Sequence, residues 1–218
     1  MLISIIIPVY QDADALARAL DVTDFSGAEV IVATAIGDSS LNALRAARPD
    51  LIWVSAPQGR ARQMNAGAAI ARGEWLVFLH ADTHLPAAWR DAIDRARADT
   101  RVGLGCFRFA LDSPAAAARV IELGVRLRVR LFGLPYGDQA LFVRREVFAE
   151  LGGYSDVPIM EDVDLVRRLR ARGRLFRASE RAVTSARRWE EDGWVKRTAR
   201  HLRLILRYFA GIHPERLV

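Results

Sequence analysis

The sequence predicts an α/β fold, a mixed but mainly parallel sheet flanked by helices on both faces and followed by a C-terminal amphipathic helix. Three observations lead there. Strand-like and helix-like segments alternate at short spacing over roughly the first 95 residues, the pattern of repeated βα units. Ile3 to Val9 is almost continuously apolar, as expected of a strand covered on both sides. Polar residues gather just after each expected strand, where an open α/β sheet binds its ligands.

The elements follow in order. Ile3 to Val9 reads as the first strand, Asp12 to Leu20 as a helix, Glu29 to Thr34 as the second strand and Leu41 to Ala47 as a helix. Leu51 to Val54 is a short third strand, Gly59 to Arg72 an Ala-rich helix, and Glu74 to Leu79 a central strand running into His80-Ala81-Asp82-Thr83. Pro86 then opens a helix, at the first-turn position where its missing N–H costs nothing. After Arg101 the alternation gives way to a mixed order. Val102 to Ala110 is a strand, Pro114 to Leu131 a long helix, Gln139 to Val143 a strand, Asp162 to Ala171 a helix and Arg174 to Ala178 a last strand.

In Trp194 to Phe209, Lys196, Arg200, Arg203 and Arg207 fall on one helical stripe, with Leu202, Ile205, Leu206 and Phe209 making an apolar face. This amphipathic helix either packs on the core with a solvated basic face or attaches to anionic lipid, since both use the same pattern. No internal repeat, low-complexity tract or Gly/Ser linker divides the chain. The organisation expected is one domain over 1–190, in two halves at about 1–100 and about 101–190, and a helical extension over 191–218.

With 218 residues, 51% of them apolar and 27% charged, the chain is a folded protein and not a disordered one. No apolar run approaches the roughly 18 residues that span a bilayer. Met1 to Ser4 leads directly into a strand with no secretory signal pattern, so a cytoplasmic location is expected, with the inner face of the membrane as a place of attachment. The single cysteine, Cys106, has no disulfide or zinc partner and reads as a small buried hydrophobe. Of the 32 basic residues 31 are Arg, which marks a compositional bias more than a mechanism, but their placement is informative. Residues 1–90 carry net −2 and residues 91–218 net +8, which puts any basic partner-facing surface in the second half.

The first strand is not followed by Gly-x-Gly-x-x-Gly or by a P-loop, which disfavours the two commonest nucleotide folds. The helix opening Gly59-Arg60-Ala61-Arg62-Gln63-Met64-Asn65-Ala66-Gly67 begins with a glycine that lets backbone amides approach an anion. Arg60 and Arg62 lie two apart and face different ways, so one of them, Arg60, is assigned to phosphate. A carboxylate at a strand end beside phosphates is what Mg²⁺ needs, and Asp82 supplies one. Together these suggest a metal–diphosphate site.

Each feature also has a plainer reading. Asp82 suits a turn, and Glu161, Asp162 and Asp164 suit the start of a helix. Gln63, Asn65 and His80 fit ordinary polar positions, and Trp189 and Trp194 fit packing.

Ser4 to Tyr10, Gly59 to Gly67, Phe78 to Thr83 and Met160 to Leu165 together resemble the family-two glycosyltransferases of the GT-A fold. The resemblance is closest to a short bacterial branch whose metal motif reads His-Ala-Asp-Thr, and it covers roughly residues 3–190. It implies a nucleotide-sugar donor, a hydroxyl acceptor, a divalent metal (Mg²⁺ or Mn²⁺) and inversion at the anomeric carbon. Asp82 matches the metal-binding carboxylate of the family's Asp-x-Asp motif, whose first Asp is His80 here, and Asp162 matches the general base. Pro8, Tyr10, Asp12, Arg60, Asn65, His80 and Ala81 fall along the donor, Asp12 standing where relatives usually carry Glu.

Asp138 and Gln139, in a loop resembling the one that lines the sugar and acceptor, join Glu161 on the acceptor side. So do Arg187, Arg188 and Trp189, in a late basic-aromatic segment near the diphosphate. The acid that many relatives carry after the second strand has no counterpart in Val32 to Ser40, where Asp38 comes several residues later.

Three other functions were weighed. A sugar nucleotidyltransferase needs a Gly-rich loop after Ile7 that is absent. A degenerate donor-fold protein tethering partners at a membrane fits the missing acid. A nonspecific nucleic-acid binder fits the basic second half, but no recognised module is present and the Arg residues are interspersed with acids, so no nucleic acid is expected.

Overall fold

Ile3–Val9 forms strand β1, and all of its residues are buried. Ile3, Ile5, Ile7 and Val9 pack on one side and Ile6 on the other, which is why this strand can lie inside a sheet covered on both faces. The computed structural model describes residues 1–217. Its other strands are β2 (Glu29–Ala35), β3 (Ile52–Ala56), β4 (Trp75–Phe78), β5 (Thr83–His84), β6 (Val102–Leu111), β7 (Leu141–Arg144) and β8 (Arg174–Thr184). They form one sheet in the order β3-β2-β1-β4-β7-β6-β8-β5. The pairs β2–β3, β1–β2, β1–β4 and β6–β8 are parallel, and β7 enters antiparallel between β4 and β6. The sheet is mixed with a small parallel majority, and strands from both halves of the chain belong to it.

The helices are α1 (Ala13–Val22), α2 (Asn42–Ala47), α3 (Arg60–Ile70), α4 (Trp89–Arg97), α5 (Ala116–Phe132), α6 (Arg145–Glu150), α7 (Glu161–Arg170), α8 (Arg187–Asp192) and α9 (Trp194–Phe209). Leu16 and Leu20 of α1 and Trp89 and Ile93 of α4 pack on one face with Trp75. Met64 of α3, Phe148 of α6 and Leu165, Val166 and Leu169 of α7 pack on the other with Leu76 and Phe78. Cys106 is buried in this second cluster, and burial pushes its thiol up to about 12.

A polar knot joins three starts of elements. Glu29 Oε2 accepts from Ser4 Oγ (2.5 Å) and from the Arg72 N–H (2.8 Å), while Arg72 Nε donates to Oε1 (2.6 Å). The Gly73 N–H in turn donates to Ser4 Oγ (2.8 Å). A buried carboxylate is tolerated here because every strong donor around it is aimed at it.

Several boundaries differ from the sequence expectation. Pro86 does not open a helix: α4 begins at Trp89, whose N–H donates to the Pro86 carbonyl, so the proline shapes the turn before it. β8 continues six residues beyond Ala178, because the polar residues that end its apolar run have partners, Glu180 with Arg95 of α4 and Arg181 with Glu122 of α5. The two-residue β5 and the six-residue α6 and α8 are too short for a periodic signal and were not anticipated.

The helix over Trp194–Phe209 stands as expected, but no residue of α9 is buried. It is held at its middle and at its C-terminal end. The Trp189 and His201 rings meet edge to face at 6.0 Å, and Arg167 lies over Tyr208 and Phe209. Among the described residues no helix is long and apolar enough to cross a membrane.

Candidate active site

Among the described residues three non-glycines hold a left-handed backbone: Gln11 (φ 51°), Ala140 (φ 45°) and Met160 (φ 65°). Each adjoins residues singled out from the sequence: Gln11 precedes Asp12, Ala140 follows Asp138-Gln139, and Met160 precedes Glu161-Asp162. Such backbone costs on the order of 1 kcal/mol or more per residue and persists where the surroundings impose it, often around functional groups.

Asp162 sits in the first turn of α7. Its Oδ1 accepts from the Val163 N–H (2.8 Å) and its Oδ2 from the Gly137 N–H (2.7 Å), so two amides fix the carboxylate while each oxygen keeps a further lone pair. Gly137 is close-packed from the other side by His80: a Cβ there would lie 2.6 Å from His80 Nε2 and 3.5 Å from Asp162 Oδ2. Only a glycine lets the end of β4 and the start of α7 approach this closely.

Asp82 lies two residues after His80, and the edge of the sheet secures this turn. Its carbonyl accepts from the Ser185 N–H (2.9 Å), and Thr83 Oγ1 meets Thr184 Oγ1 at 3.0 Å. Thr184 Oγ1 also donates to the Asp138 carbonyl (3.2 Å), tying the His80–Thr83 turn to the 137–139 loop.

The electrostatics show that these groups share one locus. Burial, aided by the Arg60 charge, lowers His80 to about 4, although Asp82 and Asp162 pull the other way, so its imidazole is neutral at pH 7. Burial raises Asp138 to about 6, and Asp162 and Asp82 push it the same way against Arg128 and Arg60. Glu161 is also raised, by burial and by Asp162, against Arg60, whose Nε lies 2.8 Å from Glu161 Oε1. One oxygen each of Asp138 and Glu161 is buried without a partner. Arg188, exposed on α8, adds its charge to the same place.

The structure therefore brings Arg60, His80, Asp82, Asp138, Glu161, Asp162 and Arg188 together. Arg62 turns away and pairs with Asp156 on the surface (2.7 Å), the divergence expected of an i, i+2 pair. Asp12 pairs with Arg187 across the rim (2.8 Å), closing the first half against α8. Tyr10 is exposed beside it, whereas Pro8 and Ala81 are buried.

Three other residues have their side chains engaged elsewhere. Asn65 donates to the Tyr154 carbonyl and accepts from the Tyr154 N–H, fixing the turn before α7. Gln139 is buried, donates to the Phe107 carbonyl and accepts from Arg128 and the Tyr136 N–H. Trp189 packs on Phe109 and α9. These three hold the walls of the site in place.

Two residues outside that set also shape the site. Gln63 is buried and donates to the carbonyls of both Val9 (2.8 Å) and Ala33 (2.7 Å), pinning the ends of β1 and β2 together. Nothing in the sequence separates it from its polar neighbours on α3. Asp38 reaches back past Gly37 to accept from the Gln11 N–H (2.8 Å) and from Ser40, so its carboxylate is engaged within the rim.

Among the described residues no three His, Cys, Asp or Glu side chains form a metal cage. The donor set, one free strand-end carboxylate with a second acid beyond it, fits a Mg²⁺-type ion whose remaining ligands are water and substrate phosphate oxygens.

Residues 4–150 match the model of glycosyl transferase family 2, and no curated protein matches the chain by sequence. Among solved structures, S. aureus TarS 1–349 superimposes with a TM-score of 0.61 at 14% identity, over 85% of this chain and 61% of that one. Its complex with UDP-GlcNAc gives 0.64 at 13% identity over 85% and 58%, and its complex with UDP 0.62 at 14% over 85% and 61%. The chain thus spans about three fifths of the TarS fragment's length, and the likeness is one of fold, the GT-A fold. The family match holds the β1 segment, the Gly59 helix and Asp82 in order over more than half of the sequence, and the chain belongs to glycosyl transferase family 2.

Proposed function

We propose that the chain moves a sugar from a nucleotide-sugar donor to a hydroxyl acceptor by one displacement with inversion, dependent on Mg²⁺ or Mn²⁺. The observation that carries this reading is that Asp162 and His80, two residues before Asp82, meet at Gly137 from opposite halves of the sequence: its N–H donates to Asp162 Oδ2, and a Cβ on it would strike His80 Nε2. A metal carboxylate and a base across one cleft are what such a displacement needs.

In this reading Asp162 accepts the acceptor's hydroxyl proton as that oxygen forms a bond to the anomeric carbon and the bond to the diphosphate oxygen breaks. Its two backbone donors hold it in line, and no covalent enzyme intermediate arises. Asp82 of the His80-Ala81-Asp82-Thr83 motif would hold the cation, which when bound neutralises charge on the departing diphosphate. Arg60 and Arg188 lend further positive charge there, and Asp12, paired with Arg187, borders the nucleoside end. The TarS complexes with UDP and UDP-GlcNAc make uridine donors the first to test. The exposed Lys196, Arg200 and Arg203 of α9 support peripheral contact with anionic lipid on the cytoplasmic side.

The test is a donor-hydrolysis and transfer screen across nucleotide sugars, repeated with Asp162→Asn. Transfer should fall by about 10²–10⁴-fold, the usual contribution of a positioned base, with donor binding retained. Unchanged turnover removes Asp162 from this role. One observation favours a second reading: Asp138 has an unpartnered oxygen and a raised carboxyl, both suited to a base. Asp138→Asn would then carry the loss in place of Asp162→Asn.

A further inference from the structure

α5 and α9 lie side by side without closing on each other, and a groove of about 810 Å³ runs between them. Its walls are apolar: Leu127 and Leu131 from α5 face Leu202, Leu206 and Phe209 from α9, and all five remain at least 46% exposed. Soluble chains rarely leave so many large apolar side chains in one open patch without a use for it. At one end the lining changes character, to Tyr136 and Asp138. These two residues flank Gly137, whose N–H holds Asp162, and the half-buried Asp138 borders the groove. The groove is thus a long apolar trough ending in a hydrogen-bond acceptor, one residue from the amide that positions the proposed base. Pockets of this size and lining fit an elongated small molecule.

Resting on the proposed function, we infer that the groove holds the hydrocarbon chain of the acceptor. The substrate class is then a long-chain alcohol or other lipid hydroxyl, whose polar end reaches Asp138 and Asp162 while its chain lies between α5 and α9. A second apolar protein surface would cover the exposed edges, but it would bring no hydrogen-bonding group to the Asp138 carboxylate in the groove wall. A hydroxyl on a chain answers both features at once. Gly124 gives the means to test it: this residue lines the trough, and a Cβ there would meet nothing within 4 Å, so a larger side chain enters the groove without striking the protein.

The full chain is titrated by calorimetry with primary n-alkanols from butanol to decanol. Affinity should rise about fourfold for each added methylene until the groove is filled. Gly124→Leu, checked for native circular dichroism, should weaken decanol binding at least tenfold. A flat series, or decanol binding untouched by Gly124→Leu, overturns the inference. So does sedimentation showing a dimer that alkanols dissociate, which would make a second copy the occupant. UDP, GDP and ADP with Mn²⁺, titrated into the same protein, report on the donor site separately. Binding of one of these nucleotides with a flat alkanol series sinks the groove assignment alone. A steep series with none of the three nucleotides bound sinks the proposed function and leaves an apolar-chain site.

Discussion

Asp138 carries the most testable single-residue consequence. Its folded-state carboxyl titrates near 6, against roughly 3.9 for the unfolded chain, so the folded protein holds this proton more tightly. The cost of ionising it is therefore absent below about pH 4 and fully present above about pH 6, and this group alone makes stability fall as pH rises through that window. His80 works the other way, since a depressed imidazole makes stability rise with pH over a similar range, and only a difference measurement isolates Asp138. Urea unfolding at pH 4.5 and pH 7 should show Asp138→Asn gaining stability relative to the parent as pH rises. An unchanged difference between the two would show that the carboxyl is not perturbed.

Gln63 makes the prediction at the scale of elements. It supplies donors to the carbonyls of Val9 and Ala33, where β1 and β2 end and the rim of the site begins. Gln63→Leu keeps the volume but strands both carbonyls, at about 1–3 kcal/mol for each left unsatisfied. Equilibrium denaturation should register that loss; a stability within about 0.5 kcal/mol of the parent, the range of an ordinary surface change, would mean the strand ends do not depend on it.

Legibility at this scale followed apolar pattern and length. β1, β2 and β4 were plain in the sequence as short continuous apolar runs, and α5 and α9 because their apolar residues recur with the helical period. β5, α6 and α8 were not, since two to six residues are too few to repeat a pattern. Within the site, the motif residues were legible, and what they touch was not. That Asn65 and Gln139 bind backbone, and that Gly137 joins His80 to Asp162, depends on contacts between segments far apart in the chain.

On the scale of the molecule, one sheet carries strands from both halves of the chain, and α9 adds a basic, unburied helix at the edge of the apolar groove. Flotation with vesicles containing anionic lipid should carry the chain upward at low salt and release it as ionic strength rises, because Lys196, Arg200 and Arg203 act through screened charge. Protein that stays at the bottom of the gradient at low salt argues against membrane contact.

The central claim is that a diphosphate and a cation meet at Asp82 within reach of Asp162. Calorimetric titration of UDP, with GDP and ADP as alternates, with and without Mn²⁺ and with Asp82→Asn, tests it most directly. One of these nucleotides should bind with Mn²⁺, at least tenfold more weakly without the ion or with the substituted carboxylate, and Mn²⁺ alone should bind poorly. Nucleotide binding indifferent to both Mn²⁺ and Asp82 would contradict the account.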